Sequence, residues 1–172
     1  ERFVRSSASM NSGAIAPRPS STLVLLRAAE GGQAEVLLLQ RADRGDQNSL
    51  RWVFPGGLVD ASDDRLRQCF HDLDDLAASA RLGLADGGLD YWAAALRETL
   101  EEAGLLLAVD DRGQTIDAEA HAETLRAWRD GAHTLPRGQG GAAFAALCKA
   151  QGWRLPGLAV LPIAHWITPL GL

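Results

Sequence analysis

The chain has 172 residues, enough for one domain with a sizeable core and too few for two. With 47% apolar and 23% charged residues it is globular and not disordered, and its net charge of −5 excludes a nucleic-acid binder that works by bulk electrostatics. A small phosphorylated substrate held by a few local arginines remains compatible with that charge. Cys69 and Cys148 stand far apart in sequence, form no metal-ligand pair, and read as small buried hydrophobes in a reducing compartment. No apolar run reaches transmembrane length and there is no signal-peptide pattern, so no membrane partner is expected. The richness in Ala, Arg and Leu favours a bacterial cytoplasm.

Residues 1–18 lack periodicity and read as a flexible leader. Met10, the only methionine, reads as a native start with residues 1–9 vector-derived. Residues 19–172 are expected to form a single domain. Thr22–Ala28 and Ala34–Arg41 are apolar, β-rich runs, and Glu30-Gly31-Gly32 between them predicts a hairpin. Arg51–Phe54 is a short strand stopped by Pro55, Gly56 and Gly57. Leu66, Cys69, Phe70, Leu73, Leu76 and Ala77 recur at helical spacing, continued by Ala80 and Leu84, and predict one helical stretch over Asp64–Leu84. A helix over Asp90–Ala103, a strand over Leu105–Val109, helices over Asp117–Arg129 and Gly141–Gln151, and a last strand over Leu158–Ile167 follow. Mixed strands and helices with an antiparallel start indicate an α/β or α+β sandwich.

The stretch Ala94–Leu105 carries the chemistry. As a helix it places Glu98, Glu101 and Glu102 at i, i+3 and i+4, within about a third of the circumference. Trp92, Leu96, Leu100 and Ala103 fall on the opposite face, and Gly104 ends the helix. Three crowded carboxylates repel one another, and a divalent cation is the simplest partner that makes such a cluster favourable. The plainer reading is a solvated helix face, the commoner fate of a charge run.

Phe54-Pro55-Gly56-Gly57, taken with Arg97-Glu98-Thr99-Leu100-Glu101-Glu102-Ala103-Gly104-Leu105, resembles the Nudix hydrolase signature. Gly57 stands as the leading glycine, Asp63 where the family has Glu, and Thr99 where it has an aliphatic residue. The arginine expected at position 71 stands at 97, an insertion of 26 residues. Leu38-Leu39-Gln40-Arg41 upstream, with Asp60 and Asp63 downstream, resembles the branch that cleaves coenzyme A and acyl-CoA. Within that branch the type with an insertion in the box also has helices before a late Trp-Ile-Thr-Pro, here Trp166 to Pro169.

The resemblance implies a mixed-sheet α/β/α sandwich with extra inserted helices. It also implies metal-dependent hydrolysis of a diphosphate linked to another group, with Mg²⁺ or Mn²⁺ neutralising charge at the phosphorus. The preferred substrate is CoA or acyl-CoA, cut to 3′,5′-ADP and a phosphopantetheine. An ADP-ribose- or NADH-type substrate is the alternative enzyme, and a nucleotide-sensing module that does not cut is the rival from another class. Glu101 and Glu102 would hold metal, with the Gly57 carbonyl as a further ligand, and Glu98 would be a ligand or the base that orients water. Arg97 would orient the glutamates without touching substrate. Arg41, Arg51, Phe54, Gly56, Asp60 and Asp63 are candidate substrate contacts. Arg41 and Arg51 read equally as strand-end arginines, Asp60 and Asp63 as helix caps, and Asp63 as a salt-bridge partner of Arg97. The four histidines form no zinc site, and the five tryptophans read as packing residues, with Trp52 or Trp166 available to a pocket wall. No Asp or Glu follows Asp130, where the family often supplies a further acidic ligand. The domain is therefore expected to lack its C-terminal part. If Leu172 is a true end, the exposed sheet edge would favour a homodimer.

Overall fold

The computed structural model describes residues 17–43, 45, 49–165 and 167. Most of the expected leader with Met10, and Trp166, Thr168 and Pro169, lie outside the described residues. The strands are β1 (Ser20–Thr22), β2 (Leu26–Ala28), β3 (Ala34–Val36), β4 (Leu39–Gln40), β5 (Trp52–Val53) and β6 (Gly56–Leu58). They pair antiparallel as β1 with β6, β2 with β3, and β4 with β5. The expected hairpin forms, with Ala28 opposite Ala34 and the glycines Gly31 and Gly32 at φ 73° and 77° in its turn. The run before it divides, however. Ser20–Thr22 goes to β6, and Leu23, buried at the changeover, donates its N–H to the Pro55 carbonyl at 2.9 Å. Pro55-Gly56-Gly57 therefore does not simply stop a strand. Its glycines lie in β6, and a Cβ on Gly56 would overlap Ser21 and Thr22 across the pair.

The expected single helical stretch after β6 is two elements, a 3₁₀ helix over Asp63–Cys69 and α1 (Asp75–Leu82). Phe70 leaves the helical path to bridge Leu155, and Asp74 caps α1 by accepting the Ala77 N–H at 2.8 Å. The break resets the phase. Leu66, Cys69, Phe70 and Leu73 are buried as expected, but α1 turns Ala78 and Ser79 inward and leaves Leu76 78% exposed.

Next comes α2 (Gly88–Ala103), which Gly104 ends at φ 70°. It starts at Gly88 because that glycine sits directly on Ser79, whose Oγ accepts its N–H at 2.8 Å. Arg67 of the 3₁₀ helix forks onto Asp90 at 2.6 and 2.8 Å, tying the inserted segment to α2. Asp75 accepts the N–H groups of Gly87 and Leu89 at 3.0 and 2.9 Å. Burial pushes the Asp75 carboxyl up, but these two donors and the Arg67 charge outweigh it and leave its pKa lowered. A lowered carboxylate pKa stabilises the fold above the unfolded value and stops doing so as pH falls through the folded one. Asp75→Asn should cost about 1–3 kcal/mol at neutral pH. The gap from the parent should close in urea melts taken below the ordinary aspartate range.

α3 (Ala122–Ala132) and α4 (Gly140–Gln151) follow. Two expected strands are absent among the described residues. Over Leu105–Val109 only Val109 pairs, through single bridges to Thr115 and Arg154, although Leu106 and Ala108 are buried in strand-like alternation. Leu158–Ile167 begins in a 3₁₀ turn over Gly157–Ala159 and continues unpaired through the exposed Leu161 and Ile163. The α/β class holds, with its β part in short pairs.

α2 is the organising element, in contact with α1, the β1–β6 pair, α4 and the 3₁₀ helix. Leu89, Trp92, Leu96 and Leu100 of α2 meet Leu66, Phe144 and Leu155 in the core. Trp92 Nε1 donates to the carbonyls of Gly157 and Val160, both at 3.1 Å. Thr99, at the position where an aliphatic residue was expected, is fully buried. Its hydroxyl bonds back to the Ala95 carbonyl at 2.8 Å, which satisfies it there. Cys69 and Cys148 are both buried and free, with their thiols hydrogen-bonded to each other. Trp52 is 63% exposed and does not pack in the core, unlike Trp92 and Trp153.

Candidate active site

The second half of α2 presents one arginine and three glutamates where β6 crosses the helix. Arg97 has five N–H donors, and every one has an acceptor. Nε and Nη2 grip the Asp63 carboxylate at 2.8 and 3.1 Å. Nη2 also donates to the Leu58 carbonyl at 3.0 Å. Nη1 donates to Glu98 at 2.8 Å and to Glu101 at 3.1 Å. The side chain is 4% exposed and Asp63 0%, so this is a buried hub and not a surface salt bridge. Glu102 instead accepts the Gly56 N–H at 3.0 Å.

Gly57 has a plain steric requirement, because a Cβ there would overlap the Glu98 carboxylate. β6 can pass this close to α2 only with glycine at that position. Gly57→Ala should displace Glu98, and since an ångström of misplacement costs about 10²-fold, turnover should fall by that order. The check is a rate assay beside a melting curve that stays near the parent's, since Gly57 is not in the core.

The charge balance at this face is unfavourable to the glutamates. Burial pushes Glu101 up to about 7, with the neighbouring Glu98 adding to the shift and Arg97 opposing it. Burial likewise raises Glu98, and the charge on Glu102 adds to that. Among the described residues no three acidic, histidine or cysteine side chains converge into a closed metal-ligand set, because Arg97 and the Gly56 N–H each hold part of the cluster. The donor chemistry nevertheless suits a hard cation. Three carboxylates, each with an oxygen outside these bonds, lie together with a glycine backbone, and their mutual repulsion is what a divalent ion would relieve.

The remaining expected contacts divide. Arg41 and Arg51 are exposed and opposite each other, the Arg41 N–H donating to the Arg51 carbonyl at 2.9 Å beyond the β4–β5 pair. Phe54 is 37% exposed on the approach to Gly57. Gly56 acts through its N–H on Glu102. Asp60 closes its own turn, accepting the Ser62 N–H at 2.8 Å and its hydroxyl at 3.1 Å. Asp63 lies beneath Arg97 with no surface to offer. Asp63 has both oxygens engaged, by Arg97 and by the Asp60 N–H, as the salt-bridge alternative had it, whereas Asp60 uses one oxygen, Oδ1, on its own turn. Two contributors were not anticipated. The Leu58 carbonyl leaves no side-chain signal. Gly140, read as linker, sits so close to α2 that a Cβ there would lie 2.9 Å from Glu101 Oε1 and 3.0 Å from Arg97 Cδ. The glycine cluster around it was the available clue.

A glycine strand is thus laid on a helix whose arginine holds Glu98 and Glu101 while Glu102 takes the Gly56 N–H, and the chain is similar to proteins of the Nudix hydrolase class. It is similar to the chicken (Gallus gallus) acyl-coenzyme A diphosphatase NUDT19, at 29% identity over 175 residues, which cover 80% of this chain and 43% of that protein. It is also similar to the crystal structure of a Nudix hydrolase from Alicyclobacillus acidocaldarius, with a TM-score of 0.64 and 26% identity, covering 91% of this chain and 64% of that one. The chain thus spans less than two thirds of either relative's length. No family model matches it. No helix among the described residues is long and apolar enough to cross a membrane.

Proposed function

We propose that this chain hydrolyses the diphosphate linkage of a nucleotide derivative with a divalent ion, Mg²⁺ or Mn²⁺, and that its preferred substrate is CoA or an acyl-CoA. The products are 3′,5′-ADP and the corresponding phosphopantetheine. The observation that carries this reading is the Arg97 hub, which holds Glu98 and Glu101 beside Gly57 while Glu102 lies on Gly56. Glu98, Glu101 and Glu102, with the Gly57 carbonyl, would hold the metal. When bound, the ion neutralises charge on the diphosphate oxygens as water attacks phosphorus.

The protein's own residues prepare that site. Arg97 fixes two carboxylates at once from a buried position. Asp63 keeps the guanidinium oriented, a service its shorter side chain performs across the insertion. Glu98, raised by burial and lying over Gly57, is placed either as a ligand or as the base that takes the water proton. Arg41, Arg51 and Phe54, all exposed, are the candidates for the substrate's phosphates and base. The likeness to the chicken acyl-CoA diphosphatase and the Leu38-Leu39-Gln40-Arg41 element support the CoA choice over ADP-ribose.

Incubation with Mg²⁺ and a panel of CoA, acyl-CoA, ADP-ribose and NADH, with products separated by chromatography, tests this. Turnover of the CoA compounds to 3′,5′-ADP is expected. Turnover of ADP-ribose alone would move the substrate to the nucleoside-diphosphate class, and binding of all four with no product would leave a sensing module.

A further inference from the structure

Helix α4 is capped in an unusual way. Its N-cap residue, Gln139, makes no side-chain hydrogen bond to the first turn, so an orphan N–H there needs an acceptor from elsewhere. The Ala142 N–H finds it in Ser62 Oγ at 3.0 Å, 80 residues earlier in the chain. The direction is set by the other partner. The Ser62 hydroxyl gives its proton to Asp60 Oδ1 at 3.1 Å, which leaves its lone pairs for α4. Ser62 therefore does for α4 what an N-cap serine does for its own helix.

The same turn of α4 touches the carboxylate site. Gly140 packs against Glu101 Oε1 and Arg97 Cδ, and Gly141 packs on the Ser62 backbone so closely that a Cβ would overlap it. Ser62 is also joined to Arg97 through the loop. Asp60, which holds the Ser62 hydroxyl, donates its N–H to Asp63 Oδ2 at 2.7 Å, and Asp63 grips Arg97. One side of α4's first turn is thus fastened to Ser62, and the other bears on Glu101.

We infer that Ser62 is a positioning residue for the carboxylate site, capping α4 from across the fold so that the Gly140 turn keeps Glu101 seated on Arg97. Ser62 touches no reacting atom. The inference rests on the reading of Glu98, Glu101 and Glu102 as the metal-binding face.

Threonine and valine have nearly the same shape and differ in the hydroxyl, so Ser62→Thr and Ser62→Val isolate the cap. Ser62→Ala, which adds no bulk, is measured beside them in case valine prevents folding. The first readout is Mn²⁺ affinity of the full chain without substrate, by electron paramagnetic resonance. The second is the split between kcat and KM on a CoA substrate. With a cap worth about tenfold, S62V and S62A should weaken Mn²⁺ binding and lower kcat by that order, leaving KM within about twofold and S62T close to the parent. The inference is overturned if the hydroxyl-free variants match S62T in both readouts, or if S62T is as impaired as they are. A parent that binds Mn²⁺ but cuts none of the panel would sink the hydrolase reading and still let the Mn²⁺ comparison decide Ser62. A parent that binds no Mn²⁺ overturns both.

Discussion

Arg97→Ala should lower the unfolding free energy by about 3–5 kcal/mol, the cost of leaving one member of a buried ion pair without its partner. The loss has several parts. Asp63, fully buried, would keep its carboxylate with only the Asp60 N–H beside it. The Leu58 carbonyl would lose a donor, and Glu98 and Glu101 would lose the one group that draws them together. Lysine restores the charge but not the fork. Three donors on one point cannot meet acceptors that surround a planar guanidinium, so Arg97→Lys should recover only part of the stability and little turnover. Urea melts of the three proteins in a metal-free buffer give the comparison. An alanine variant within about 1 kcal/mol of the parent, the range of an exposed pair, would contradict the buried hub.

Glu101→Gln and Glu102→Gln should separate stability from function in the opposite sense. Glutamine keeps the shape and removes the charge. In the absence of metal, Glu101 is a half-buried carboxylate whose pKa is pushed up to about 7, chiefly by burial. A carboxylate raised above its unfolded value costs stability at any pH where it must ionise, so neutralising it should leave the metal-free melting temperature equal or higher. Mn²⁺ binding should be lost, and with several kcal/mol of charge stabilisation gone, turnover should fall by about 10³-fold. Titration by electron paramagnetic resonance and a rate assay would read the two effects. Variants that keep both metal affinity and turnover would remove these glutamates from the site.

How far the sequence discloses such a site depends on whether the contacts are local or long-range. α2 was legible almost to the residue, because its apolar spacing, its carboxylate spacing and Gly104 are all properties of one contiguous stretch. The pairing of Asp63 with Arg97 was legible as one of several options, through the motif that spans the insertion. The β part was far less so. Leu23–Leu26 is a continuous apolar run without alternation, and nothing in it marks Leu23 as the point where the chain changes partners. Phe70 kept the helical spacing of its neighbours while leaving the helix, because a 3₁₀ turn and an α-turn bury similar positions over so short a span. Leu158–Ile167 has the composition of a strand, yet pairing is a property of two segments, and none pairs with it among the described residues. The backbone carbonyl of Leu58 contributes an acceptor that any residue carries, and Gly140 contributes by lacking a Cβ, so no residue-type pattern records either.

The thiol pair in the core has a practical consequence. Cys148 is wholly shielded and Cys69 nearly so, one on α4 and the other at the end of the inserted 3₁₀ helix. The chain has two cysteines, so a thiol-selective reagent has these two targets on it. A thiolate reacts only when solvent reaches it, so the labelling rate at each sulfur counts how often α4 and the insert part company. The protein thus carries its own clock for the opening of the layer that backs the carboxylate face, readable by mass without adding a probe.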